Sequence, residues 1–235
     1  MIKEKTYIRV LWFCALMLPI LLAAVFLHAE DVQAMGEAEH ILIIDAGHGG
    51  EDGGAVAPDG TLESDLNLDI ALRLEALARF WGIQTRMTRQ TQEIDYPTSA
   101  LTLAAKKKAD QDARLSLIRD TPGAFLLSIH QNTYPAPSPH GIQVFFGREE
   151  GSQRLAEILQ EALTSFLSPD NRRVAEEIDD GIYLMRNANC PAVLVECGFL
   201  SNPDELARLK TNDYHMELAA VMLSSYLQYQ RGIDL

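Results

Sequence analysis

The stretch IIDAGHGGEDGG, residues 43–54, sets His48 and two acids in a loop with five glycines in eight positions. Two further apolar runs end in groups of the same kind. AFLLSIH ends at His130 and AVLVE ends at Glu196. Imidazole nitrogen and carboxylate oxygen both bind zinc, and a catalytic zinc takes three protein ligands and leaves a fourth position open. His48 and His130 would supply two ligands. The third must be a nearby carboxylate, and spacing leaves Glu51, Asp52, Glu63, Asp65 and Asp69 as candidates. Glu63 opens the helix that follows the glycine loop, where an acid also suits the helix dipole.

A glycine loop after a strand also suggests phosphate binding, but these residues argue against it. The Lys-Ser/Thr pair of a nucleotide P-loop is missing, and Gly47, Gly49 and Gly50 do not follow the dinucleotide spacing. Glu51 and Asp52 would repel a phosphate.

For the three groups to meet, the chain must bring three strand ends together. The apolar run at residues 41–44 reads as a strand buried on both faces. Residues 64–81 carry Leu66, Ile70, Leu74 and Leu77 on one helical face, and Gly82 ends that helix. Strands are expected at 83–88, 124–130, 141–147 and 192–195, with a short one at 182–185. Helices are expected at about 101–119, across Leu155, Leu159, Ala162, Leu163 and Phe166, and at 214–231 through Leu218, Val221, Met222 and Ser225. Asn202-Pro203-Asp204-Glu205 is a helix start with an Asn cap, a proline in the first turn and an acid at the third position. The alternation gives an α/β fold: a three-layer sandwich with a mostly parallel twisted sheet flanked by helices. In such folds functional side chains gather where strands end, so parallel strands would converge His48, His130 and Glu196. The run Lys106-Lys107-Lys108 reads as a solvated helix face, and His140 and His215 as surface residues.

Composition narrows the function. The chain has 235 residues and a net charge of −13. A domain this acidic should not hold nucleic acid through its phosphates, so an anionic polymer would have to be bound by local contacts. Lys3, Lys5 and Arg9 precede an uncharged stretch at residues 10–27. That is a signal peptide or an N-terminal membrane anchor, and either means export to a secreted or membrane-anchored location. The expected organisation is a targeting segment at 1–34, a linker at 35–40 and a catalytic domain at 41–235. Cys190 and Cys197, roughly 20 Å apart on an extended chain, are beyond disulfide reach and read as buried thiols.

Four blocks, IIDAGHGGEDGGA, LESDLNLDIALRL, SIHQN and PAVLVECGFLSNPDE, resemble in order and spacing the zinc-dependent N-acetylmuramoyl-L-alanine amidases of bacterial cell walls. The resemblance runs from about residue 41 to the final helix. It implies one Zn2+ held by His48, Glu63 and His130, and a catalytic glutamate at Glu196. The finer resemblance is to the germination-specific, spore-cortex branch, carried by the insertion YPTSALTLAAKKKADQDARL and by a lone catalytic domain behind an export segment. Two residues depart from the family pattern: Gln131, where a smaller or apolar residue is common, and Cys197, where valine is frequent. Because neighbours in a strand point to opposite faces, Cys197 should turn away from any metal that Glu196 faces.

The resemblance implies cleavage of the amide between the lactyl group of muramic acid and L-alanine. Zinc would activate water, and Glu196 would pass its proton to the departing amine. The partner is then a peptidoglycan glycan strand with its stem peptide. Asn132 and Arg186 are candidate substrate contacts, with loop hydrogen bonding or a surface ion pair as the plainer role. The glycines would turn the backbone and leave an open floor for the glycan. One rival is a zinc carboxypeptidase on stem peptides, with Arg86, Arg89 or Arg186 clamping a terminal carboxylate. Another is a non-catalytic wall-binding relative, which should lack a ligand or Glu196. Uncontrolled wall hydrolysis is lethal, which leaves room for an activating protein partner.

Overall fold

The structure, a computed structural model, describes residues 40–179 and 181–232. The expected targeting segment, including residues 10–27, and all but His40 of the linker lie outside the described residues. Within them, no helix is long and apolar enough to cross a membrane.

The strands are β1 (Ile41–Ala46), β2 (Thr85–Met87), β3 (Ala124–Asn132), β4 (Gln143–Phe146), β5 (Glu176–Glu177) and β6 (Ala192–Phe199). The helices are α1 (Glu63–Phe80), α2 (Leu103–Arg119), α3 (Ser152–Leu167), α4 (Tyr183–Asn187), α5 (Pro203–Leu209) and α6 (Asn212–Gln230). The strands form one sheet in the order β2-β1-β3-β6-β4-β5. β2, β1, β3 and β6 are mutually parallel, and β4 runs antiparallel to β6.

Strand alternation sorts the core into two layers. Leu42, Ile44, Leu127, Ile129, Val193 and Val195 pack on one face against three helices, meeting Ile70 and Leu74 of α1, Leu155 and Leu159 of α3, and Leu218 and Met222 of α6. Ile43, Leu126 and Leu194 point the other way, onto Leu115 and Ile118 of α2 and Leu184 and Met185 of α4. The expected three-layer sandwich is therefore present. At the ends of the strands this second face passes from apolar to polar, through Asp45, Ser128, His130 and Glu196. The register sets Asp45 beside Ser128 and His130 beside Glu196. A register shift follows His130, after which Asn132 pairs with Phe199.

Capping explains several boundaries. Thr102 accepts from the Ala105 amide at the start of α2, and Asn202 accepts from the Asp204 and Glu205 amides at the start of α5. Helix α1 has no side-chain cap. Its Glu63 and Ser64 amides instead donate to the Ala55 and Gly53 carbonyls, so the glycine loop itself satisfies the helix end.

Some expectations need correction. Residues 182–185 are not a strand. Asp179 accepts from the Gly181 and Ile182 amides, which bends the chain into α4. Helix α3 buries Leu167 instead of Phe166, which is 75% exposed. His215 is not at the surface; it is buried on α6, with Nε2 meeting the Leu209 carbonyl. As expected, Cys190 and Cys197 are buried free thiols, and Cys197 lies on the face away from Glu196.

The α3 correction is testable. Leu163→Ala should cost about 2–5 kcal/mol in urea unfolding, whereas Phe166→Ala should stay within roughly 0.5 kcal/mol of wild type.

Candidate metal centre

Three side chains meet above the ends of β1 and β3. His48 comes from the loop after β1, Glu63 from the first turn of α1 and His130 from the end of β3. One ligand-capable atom from each lies within 4.8 Å of the others. Glu63 holds the centre. Its Oε2 lies 3.3 Å from His48 Nε2 and accepts from the Ala55 amide at 2.8 Å. Its Oε1 is 2.9 Å from His130 Nδ1 and accepts from the Gln131 amide at 3.1 Å. Asn67, one turn further along α1, bonds both Glu63 Oε1 and the Gly47 carbonyl through Nδ2.

Burial works against the Glu63 charge, but the hydrogen bonds from His130 and His48, and the attraction of both, outweigh it. They hold the carboxyl well below the usual carboxylate range. Burial likewise opposes charge on His48, yet the hydrogen bonds and charges of Glu63 and Asp52 push its pKa up to about 9. The two-imidazole, one-carboxylate donor set is the chemistry a zinc ion takes, and the spacing of the three groups fits one ion. The other carboxylates considered do not join it. Glu51, Asp65 and Asp69 are exposed, and Asp52 turns to the far nitrogen of His48.

Glu196 lies beside this trio on the neighbouring strand. Its Oε2 is buried and has no hydrogen-bond partner. Burial pushes its pKa up to about 7. A carboxyl that titrates near neutrality can both take and return a proton. A cavity of about 320 Å³ opens over the four groups, walled by Lys107 and Gln111 of α2 and by Tyr183 and Met185 of α4. Asn132 keeps its Oδ1 on the Thr133 amide, and Arg186 is exposed and lies outside this cavity.

The loop bearing His48 is held by residues that no motif announced. Arg114 of α2, buried, donates to Asp45 and the Ala46 carbonyl at 2.7 Å and to the His48 carbonyl at 2.6 Å. Arg89, also buried, donates to the Ala46 carbonyl at 2.9 Å and the Gly47 carbonyl at 3.0 Å. Lys107 and Lys108 are exposed, as a solvated face would be, but Lys106 and Lys107 also pair with Glu51 and Asp52, while Lys108 pairs with Asp112 of its own helix. Opposite charge in the two segments was the available signal, but nothing local fixed which lysine meets which acid. The glycines do not form an open floor. A Cβ on Gly47 would run into the His130 ring, and one on Gly54 would lie 2.5 Å from Glu63 Oε2. The backbone packs directly against the donors.

Residues 42–225 match the family model described as N-acetylmuramoyl-L-alanine amidase, amidase 3. The chain belongs to this family. It is 34% identical over 190 residues to the germination-specific N-acetylmuramoyl-L-alanine amidase of Bacillus subtilis (strain 168), covering 80% of this chain and 79% of that protein. It is similar to the structure of the CwlD amidase from Clostridioides difficile in complex with the GerS lipoprotein. There the TM-score is 0.79 and the identity 32%, over 83% of this chain and all of that one. The fold also matches AmiC2 of Nostoc punctiforme, with a TM-score of 0.70 at 24% identity, over 83% of this chain and 99% of that one. Within the amidase 3 family, the similarity falls with the germination-specific branch.

Burial of Glu196 has a measurable cost. A carboxyl raised from 4.5 in the unfolded chain to about 7 in the folded one destabilises the fold once it ionises. The penalty grows as pH rises from 4.5 and is complete above about 7. In thermal melts of metal-free protein, Glu196→Gln should be more stable than wild type at about pH 8, by up to roughly 3 kcal/mol, with the gap closing at about pH 4.

Proposed function

We propose that this amidase is zinc-dependent and cleaves the amide between the lactyl group of muramic acid and L-alanine in peptidoglycan. We assign His48, Glu63 and His130 as the residues that hold zinc, and Glu196 as the group that moves the proton. The observation that carries the reading is the close set of three donors beside a buried carboxyl with an unpartnered oxygen. When bound, zinc would supply Lewis acidity toward water and the amide carbonyl. Glu196 then acts as base toward the attacking water and as acid toward the leaving amine, which must be protonated to depart. The Glu196 Oε2, buried and without a hydrogen-bond partner, is left free to take the proton.

The carboxypeptidase reading lacks its clamp. The Arg89 guanidinium is spent on backbone carbonyls, Arg86 donates to Thr121, and Arg186 lies outside the cavity. A non-catalytic relative is disfavoured because both histidines, Glu63 and Glu196 are all present and gathered.

We assign residues 41–235 to catalysis, residues 1–34 to export as a signal peptide or anchor, and residues 35–40 to a linker. The protein would then act outside the cytoplasm. The likeness to a germination-specific amidase supports a cortex substrate and a role in muramic lactam formation or germination. The related CwlD amidase, solved with a lipoprotein, supports an activating protein partner.

The test is mass spectrometry of cortex or wall fragments incubated with the purified protein and zinc. Free peptides with an N-terminal alanine, alongside glycan chains with intact muramic acid, are expected. Chelation should abolish the products and added zinc should restore them. Glu196→Ala should keep its zinc and lose roughly 10²-fold or more in rate. Release of peptide at wild-type rates by that variant would remove Glu196 from the mechanism.

A further inference from the structure

Among the described residues His48 is the one non-glycine with a left-handed backbone, at φ 59°. A bulky side chain seldom adopts that conformation without support. Asp52 supplies the support twice. Its backbone closes a tight turn, with Gly49 N donating to Asp52 O at 2.8 Å and Asp52 N donating to Gly49 O at 3.0 Å. Its side chain then reaches back to the ring, placing Oδ2 3.0 Å from His48 Nδ1. The other carboxylate oxygen, Oδ1, accepts from the Gly54 amide at 3.2 Å and lies 2.9 Å from Lys107 Nζ. One carboxylate thus ties together a strained residue, the glycine loop and helix α2.

We propose that Asp52, anchored by Lys107, is the positioning residue that orients His48 for the metal. The inference rests on the assignment of His48 as a zinc ligand. With Nδ1–H donated to Asp52, the ring presents Nε2 to the centre, where it already faces Glu63 Oε2. An imidazole without that bond turns freely about its last torsion and could offer either nitrogen. The bond removes this freedom and raises the basicity of the ligating nitrogen. Lys107 pins the carboxylate in its rotamer. Lys108, the next residue, provides an internal comparison, because it pairs with Asp112 of its own helix and does not reach the loop.

A plain surface ion pair would contribute little and would not affect metal binding. Zinc dissociation constants of the purified full chain, measured by competition with a chromophoric chelator, separate the two cases. Asp52→Ala should weaken zinc about tenfold or more. Asp52→Asn, whose amide oxygen still accepts the Nδ1 proton, should recover much of that loss. Lys107→Met should weaken zinc severalfold, and Lys108→Met should match wild type. The visible spectrum of the cobalt-substituted protein should change with Asp52→Ala and not with Lys108→Met. Wild-type affinity in Asp52→Ala, or equal loss in the alanine and asparagine variants, would overturn the proposal. If Asp52→Ala fails to fold, Lys107→Met decides alone, and equality with Lys108→Met refutes it. A wild-type chain that binds no zinc would instead refute the metal assignment on which the proposal rests.

Discussion

The charge on Glu63 is the constraint around which the site is built. A carboxylate enclosed at a sheet edge must be compensated or must take up a proton. Both its oxygens are occupied, by two imidazoles, two backbone amides and the Asn67 side chain. These partners come from three pieces of structure: the glycine loop, the end of β3 and the second turn of α1. Meeting these demands fixes where the loop lies, which way both rings face, and how close the backbone comes. The missing Cβ atoms at Gly47 and Gly54 follow from the same demand, because the donors occupy that space.

A second layer of charge holds the first. Two buried arginines reach the consecutive carbonyls of Ala46, Gly47 and His48, and Arg114 also neutralises Asp45 at 2.7 Å. Burial disfavours the Arg114 cation, but Asp45 and Asp110 more than compensate. Arginine suits this work because its fork of donors can serve a carboxylate and several carbonyls at once. The loop is therefore irregular in conformation yet rigidly held, which a site made of loop residues needs if its donors are to stay in register.

Much of this was legible in the residues. The apolar runs of β1, β3 and β6 gave the sheet, and a polar residue at each run's end gave His48, His130 and Glu196. Two-residue periodicity put Cys197 opposite Glu196. Spacing alone left five acids open as third ligand, and the resemblance to a family selected Glu63. Three features escaped. Helix α4 was hidden because a four-residue apolar run carries no period, and the turn at Asp179 decided the matter. His215 looked superficial because its partner is a helix-end carbonyl, which leaves no mark in sequence. The pairing of Lys106 and Lys107 with the loop was hidden because their acids lie far away in the chain. Local pattern reports which face is apolar; it does not report which distant charge a side chain will meet.

The strand order has a consequence for how the molecule comes into being. β6, which carries Glu196, lies between β3 and β4, although both precede it in the chain. Without β6, no strand joins β1, β2 and β3 to β4 and β5. Pairings of this kind are slow, since a long loop must close before they return any stabilisation. Glu196 therefore joins His48, Glu63 and His130 only when nearly the whole chain has been made. A hydrolase assembled in this order has no complete site on a partly synthesised chain, and truncation ahead of β6 removes Glu196 and the strand that joins β3 to β4.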